Sequence, residues 1–400
     1  MAPKHKTSFD ELRALLGFAS IGLANTILPA VIHAANYLIV PYPRAVVTLI
    51  ELLPVVAVKL SLPFVIHRIP CRIRPLIVAV CWLVAKKVAD DTPPNVMPPI
   101  RIAISVLASV LAAVMEVSCL GMIGHSGTRA LTGWGFGTGA GLVVNAVWPF
   151  VLTRRAGKVL RSATGSAYYL VALLIIAHFF ILPQRLTKRK HTHRDVGDGR
   201  DEEETHSFLG VGQFGQESSS SKSFRKNLQI LPGLLKSNML PLFAASTLLF
   251  LQQGVARTLD GSVFGTFSRF AATYGVSVHL GTLVSRSSVT IYPVRDLRTC
   301  LISLVVVAVF TLFNAVFLVS TYCAFLLAFL AGLSSGLVYI NVLAKVMEEN
   351  VDMDDREFSL GVVTAGDAAG MVTGGLLGVL LEVEMCRRLL SARRWCHRSR

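Results

Sequence analysis

The stretch from Ala328 to Glu382 decides the fold class; from Gly332 it reads GLSSGLVYINVLAKVMEENVDMDDREFSLGVVTAGDAAGMVTGGLLGVLLE. Two apolar runs flank a short acidic segment, Glu348 to Glu357, that cannot sit in hydrocarbon. The runs therefore read as two membrane-crossing helices joined by a polar turn. In the second run Gly366, Gly370, Gly374 and Gly378 recur every four residues. On an α-helix that spacing lays a bare stripe along one face, where a neighbouring helix can come within backbone distance. Helix packing is the reading for these glycines, so Gly370→Leu is expected to misfold and Gly370→Ala to be mild. Asp367 follows the first of them. A carboxylate inside an apolar segment costs about 2.5–3.5 kcal/mol on insertion scales and so marks a candidate functional group. Its structural alternative is a cap on a broken helix or a partner for one neighbouring side chain.

Composition extends this reading to the whole chain. Its 400 residues are 53% hydrophobic and only 16% charged, with a mean hydropathy of +0.58, outside the range of a soluble domain. The formal charge of +15 could suggest nucleic acid, but the basic residues cluster in loops and at the termini. That is the cytoplasmic bias of Lys and Arg in membrane proteins, so no nucleic-acid partner is expected. The seven cysteines form no CxxC pair and no His/Cys metal spacing, and neither a metal site nor a cofactor is expected. No Ser/His/Asp order, HExxH or phosphate loop occurs, so the chain does not read as an enzyme.

Taken in order, the first apolar run is Leu12–Val40, too long for a cleaved signal peptide, and it places the N-terminus in the cytosol. Pro43–Ile66 carries Glu51 and Lys59. Eight residues apart, these two are separated by about 12 Å of rise and about 80° of rotation, so they do not pair on one helix and each must face the interior or a wet cavity. For Lys59 the alternative is snorkelling to an interface. Further spans are Arg72–Ala89, Ile100–Gly124 with Glu116, Leu131–Leu152 with alternating glycines from Gly133 to Gly141, and Ala163–Leu182. Residues Pro183–Leu231 are polar, Gly/Ser-rich and charge-blocked, the composition of a disordered linker. Asn238–Val255 opens the second half. Phe267–Leu283, with Arg269 and His279, reads as a tilted or partly interfacial helix, and Leu297–Val319 and Tyr322–Val346 lead back to the opening stretch.

The expectation is an all-α polytopic membrane protein of about eleven transmembrane helices in a major-facilitator-like, two-half bundle. Residues 1–182 form the first half of six helices, 183–231 the cytosolic linker, 232–386 the second half of five, and 387–400 a basic tail. Glu51, Lys59, Glu116, Asp367 and Arg286 are the candidate buried or cavity-lining charges. Charges retained at such a cost point to a solute transporter with titratable carboxylates.

Several of these residues also lie in motifs that resemble a known family. Gly336-Leu-Val-Tyr-Ile-Asn341, Asp355-Arg-Glu-Phe-Ser359 and Gly366-Asp-Ala-Ala-Gly370 look like the C-terminal signature of the battenins, multi-pass proteins of the lysosome and the fungal vacuole. Glu51, Leu53-Pro54, Val58-Lys59-Leu60 and Ile66-His67 match a second pattern, Glu116 falls where the family has a glutamate, and Ser285-Arg-Ser-Ser288 is similar to a family tetrapeptide. Departures are the single Asn25, the shortened Gly-rich motif with Phe136, and Leu248 where family members have an acid before Gln252-Gln253-Gly254. The resemblance implies a vacuolar, lysosome-like membrane, a role in vacuolar pH homeostasis, and movement of small solutes, basic amino acids such as arginine among them, with protons. The alternative is a non-transporting scaffold for vacuolar protein trafficking, with partners recruited through residues 183–231.

Overall fold

A long apolar run has one low-cost backbone solution in hydrocarbon, the α-helix, which bonds every N–H and C=O within the segment. The computed structural model describes residues 4–37, 44–66, 69–70, 73–92, 98–155, 164–183, 225–260, 266–291, 294, 296–317, 320–349 and 353–391. Every regular element among them is helical. Eleven α-helices follow in order: α1 (Lys4–Tyr37), α2 (Arg44–Ser61), α3 (Arg74–Asp91), α4 (Pro98–Ser126), α5 (Thr128–Phe150), α6 (Ser166–Ile176), α7 (Leu240–Gly254), α8 (Phe267–Ser287), α9 (Leu297–Phe317), α10 (Thr321–Glu349) and α11 (Met353–Ser391).

Among the described residues, eight helices are long and apolar enough to cross a membrane. The other three have identifiable reasons to fall short. α6 is brief, with an apolar run of Ser166–Ile181. α3 ends in Lys86, Lys87, Asp90 and Asp91, and α8 carries Arg269, His279 and Arg286. α8 is not an isolated surface helix: it packs against α5 and α10 and turns Tyr274, Thr282 and Ser285 into the buried interior. Its low hydropathy comes from polar groups that face protein.

Two boundaries differ from the sequence reading. The acidic segment Glu348–Glu357 is mostly helical, since α10 runs to Glu349 and α11 starts at Met353. Its charges have partners elsewhere in the chain: Glu357 is buried against Arg74. Likewise, an unbroken helical run reaches from Arg225 to Leu259, so the last residues assigned to the linker are helical. Residues 184–224 of the linker and 392–400 of the tail lie outside the described residues.

Bare glycine faces hold the helices together. A methyl group at Gly366 would meet the Met239 carbonyl oxygen, at Gly370 that of Phe243, and at Gly374 that of Thr247. One added at Gly378 would lie 2.9 Å from the Cα of Gly254. The α11 stripe is thus laid on the backbone of α7 and its preceding turn. The same device joins α5 to α1, where Gly133 meets the Leu15 carbonyl, Gly137 that of Ala19, and Gly141 the side chain of Thr26. Helices six apart pair alike: α1 with α5 and α7 with α11, α2 with α4 and α8 with α10, α3 with α4 and α9 with α10. Helices α1–α6 meet helices α7–α11 along α5–α8, α2–α11 and α4–α11.

The close approach at Gly370 corrects the expectation that alanine is mild there, because the contact is with backbone, which cannot swing aside. Gly370→Ala should lower stability in detergent by about 1–3 kcal/mol, the range for overpacking. Gly275→Ala, whose added methyl meets only the Ala146 Cβ at 3.5 Å, should be silent. Thermal unfolding of the two variants checks this, and equal melting temperatures would contradict the backbone contact.

Candidate functional site

Lys59 sits in the last turn of α2, just before Pro63 tightens the chain into a 3-10 turn at Leu62–Phe64. The turn brings Lys59 inward, where its Nζ is 2.8 Å from Oε2 of Glu116 on α4. Lys59 is 4% exposed and Glu116 18%, so the lysine is sealed while the carboxylate keeps one open side. On the other oxygen, the Tyr339 hydroxyl of α10 donates to Oε1 of Glu116 at 3.2 Å. A pair made within the first six helices therefore touches the last five.

Tyr339 carries the arrangement to Arg286, whose Cζ stands 4.0 Å over the phenol ring. This geometry is a cation–π contact between α8 and α10. Arg286 also donates from a terminal nitrogen to the Thr138 hydroxyl of α5 at 3.3 Å, while its Nε is buried without a hydrogen-bond partner. Arg286 stands in the last turn of α8, and its guanidinium turns toward Thr138 and Tyr339. A guanidinium offers five donors in a fixed fork suited to a planar oxyanion, and here a hydroxyl uses one.

Asp367 completes the group. It is buried on α11 at the glycine seam, where the Ser246 hydroxyl of α7 donates to its Oδ1. The charges of Lys59, Arg286 and Glu116 all act on it, but no ion pair to Asp367 is formed among the described residues. Lys59 and Glu116 pair with each other, so Arg286 and Asp367 are the two groups of the cluster that form no ion pair among the described residues.

Glu51, the remaining candidate, lies apart. Its Oε1 is 2.8 Å from Nδ1 of His33 on α1, and Nε2 of His33 is 3.1 Å from the Ser105 carbonyl of α4. The sequence reading missed His33, Tyr339, Thr138 and Ser246. Tyr339 stood inside the quoted Gly336–Asn341 motif, but hydroxyls and a lone histidine carry no pairing signal in helical spacing. Among the described residues no three His, Cys, Asp or Glu side chains cluster as a metal site.

A second structure closes one end of the bundle. Arg74 at the start of α3 pairs with Glu357 of α11 at 3.0 Å, both nearly fully buried, and also donates to the Ile66 and Ile69 carbonyls. Arg356 donates to the Gly124 carbonyl at the end of α4. Phe358 meets Phe64 edge-on with ring centroids 4.9 Å apart. Asp355 pairs with Lys226 at 2.8 Å. The Asp355–Phe358 motif thus fastens α11 to α4 and to the α2–α3 connection.

Comparison with known proteins covers nearly the whole chain. The family profile described as CLN3 protein matches residues 16–388. Protein btn1 of Aspergillus fumigatus is 29% identical, over 96% of this chain and 91% of its own. Protein BTN1 of Chaetomium globosum is 30% identical over 97% of this chain and 92% of its own. Protein BTN1 of Yarrowia lipolytica is 30% identical over 95% of this chain and 96% of its own.

The Lys59–Glu116 pair generates a stability test. Lys59→Met should cost about 3–5 kcal/mol, because it strands a half-enclosed carboxylate. The double variant Lys59→Met with Glu116→Gln should recover most of that loss. Chemical unfolding in detergent measures both, and a double variant no better than the single one would contradict the pairing.

Proposed function

The chain belongs to the CLN3 protein family, the battenins, and from that premise we propose that it is a vacuolar, lysosome-like membrane transporter of small solutes. It moves basic amino acids such as arginine, contributes to vacuolar pH homeostasis and catalyses no covalent chemistry. The observation that supports this most is the unpaired guanidinium of Arg286 facing the same interior as Asp367. A basic amino acid carries an α-carboxylate, which the Arg286 fork can take in paired hydrogen bonds. Its side-chain cation is drawn to Asp367 and to the open side of Glu116.

Movement follows from how the halves meet. Residues 1–182 and 232–386 are the two bodies of a major-facilitator-like transporter, and the six-helix offset in their packing supports that reading. They rock about the α5–α8 and α2–α11 seams, with the Arg74–Glu357 end closed in the arrangement seen here. Opening that end breaks a buried ion pair, which solute in the central cluster offsets by bridging Arg286 and Asp367.

Exchange of radiolabelled arginine in proteoliposomes tests the reading. The protein should exchange arginine in a saturable way. Arg286→Gln and Asp367→Asn should each weaken it by about 2 kcal/mol or more, the loss from truncating one partner of a buried charge pair. If the unaltered protein exchanges arginine no faster than empty liposomes, the trafficking scaffold replaces the transporter as the better account.

A further inference from the structure

Apart from the central cluster, His33 forms a partly buried pair with Glu51. It joins α1, α2 and α4, and none of its members touches the groups assigned above to the solute. The ring is fixed from both sides. Nδ1 is 2.8 Å from the Glu51 carboxylate, an acceptor that requires a proton on this nitrogen. Nε2 faces two groups of opposite capability: the Ser105 carbonyl at 3.1 Å, which can only accept, and the Ser109 hydroxyl at 3.4 Å, which can donate. Protonated, Nε2 donates to Ser105; bare, it accepts from Ser109. Both charge states of the ring are satisfied without moving a helix.

The neighbouring charges are committed elsewhere. On α2, Lys59 is held by Glu116 of α4. On α3, Lys86 pairs with Asp90 and lies over Tyr168 of α6, and Lys87 pairs with Asp91. α5 carries Arg129, paired with Glu11, which like Arg13 lies about six turns from His33 along α1. On α4, Arg101 is buried one turn before Ser105. Among the described residues, Glu51 is the carboxylate in contact with the ring.

We propose that His33 is a proton carrier of this protein, taking up and releasing one proton at Nε2 while Glu51 holds Nδ1–H and so orients the ring. In loading, a hydronium ion gives its proton to the Nε2 lone pair; the N–H bond forms, an O–H bond breaks and water is left. Release is the reverse, and the Ser109 hydroxyl then turns its hydrogen to the bare nitrogen. Glu51 is 23% exposed and His33 13%, so the pair is enclosed yet reachable. Because Glu51 and Lys59 share α2, with about 12 Å of rise between them, the charge on His33 is felt along the helix that also carries the lysine of the central cluster. The coupling, though not the proton site itself, rests on the transport reading above.

Two measurements separate the site from that reading. In proteoliposomes enclosing a pH-sensitive dye, arginine entry should carry protons, and His33→Gln should lower the protons moved per arginine about tenfold. An unchanged ratio overturns the proposal. The second measurement needs no solute: nitrogen spectra of histidine-labelled unaltered protein, with His33 assigned by its contact to the Glu51 carboxyl carbon. Across the pH range in which the protein stays folded, the ring should change between its doubly protonated form and a neutral form protonated at Nδ1 alone. Glu51→Gln should let both neutral tautomers appear. A His33 ring of one charge across that range overturns the proposal even if the variants fail to fold. Absence of arginine movement, with the ring titrating as described, rejects the transport reading and keeps the proton site.

Discussion

Lipid tails are as apolar as leucine, so apolar side chains gain little by leaving them for another helix. Helices in such a solvent associate where backbones can touch, and this chain arranges that with glycines every fourth residue. The α11 stripe on α7 and the α5 stripe on α1 are two such joints of the bundle, and the site depends on the first of them. Gly370 lies against both the Phe243 carbonyl and the Ser246 Cβ, and the Ser246 hydroxyl is the group that holds Asp367. A wider seam would take the hydroxyl away from the acid. Backbone contact thus sets the position of a charge.

Once the helices are placed, the cost of burying charge selects the partners. Lys59 with Glu116, Arg74 with Glu357, and His33 with Glu51 are each joined across different helices, so every pair also fixes a helix–helix geometry. Arg286 departs from this pattern. Its contacts are a ring face and a hydroxyl, which stabilise a cation without neutralising it. Such a cation, beside an acid that has no ion pair, is suited to a ligand that brings both signs of charge.

Much of this was legible in the sequence because it depends on helical period or on rarity. The spacing of Gly366 to Gly378 predicts a bare face for any α-helix, and charges such as Glu116, Lys59 and Asp367 stand out in apolar runs. What spacing cannot give is which helix faces which. Glu51 therefore read as one of five similar groups, although it belongs with His33, and the hydroxyls of Ser246 and Tyr339 carried no pairing signal. The acidic segment misled for a related reason: its charge argued for water, and the partner that buries Glu357 lies far away in sequence at Arg74. α8 reads as tilted or partly interfacial because hydropathy averages over faces, and its Thr282 and Ser285 are turned onto α10.

If the two sets of helices rock, the end closed by Arg74 and Glu357 must open. Spin labels at His125 of α4 and Glu348 of α10, both exposed at that end, would report the separation by pulsed electron paramagnetic resonance in a cysteine-free background. The account predicts two distance populations in lipid whose ratio shifts when arginine is added. A single distance, unchanged by arginine and by Glu357→Gln, would contradict it and leave a rigid bundle.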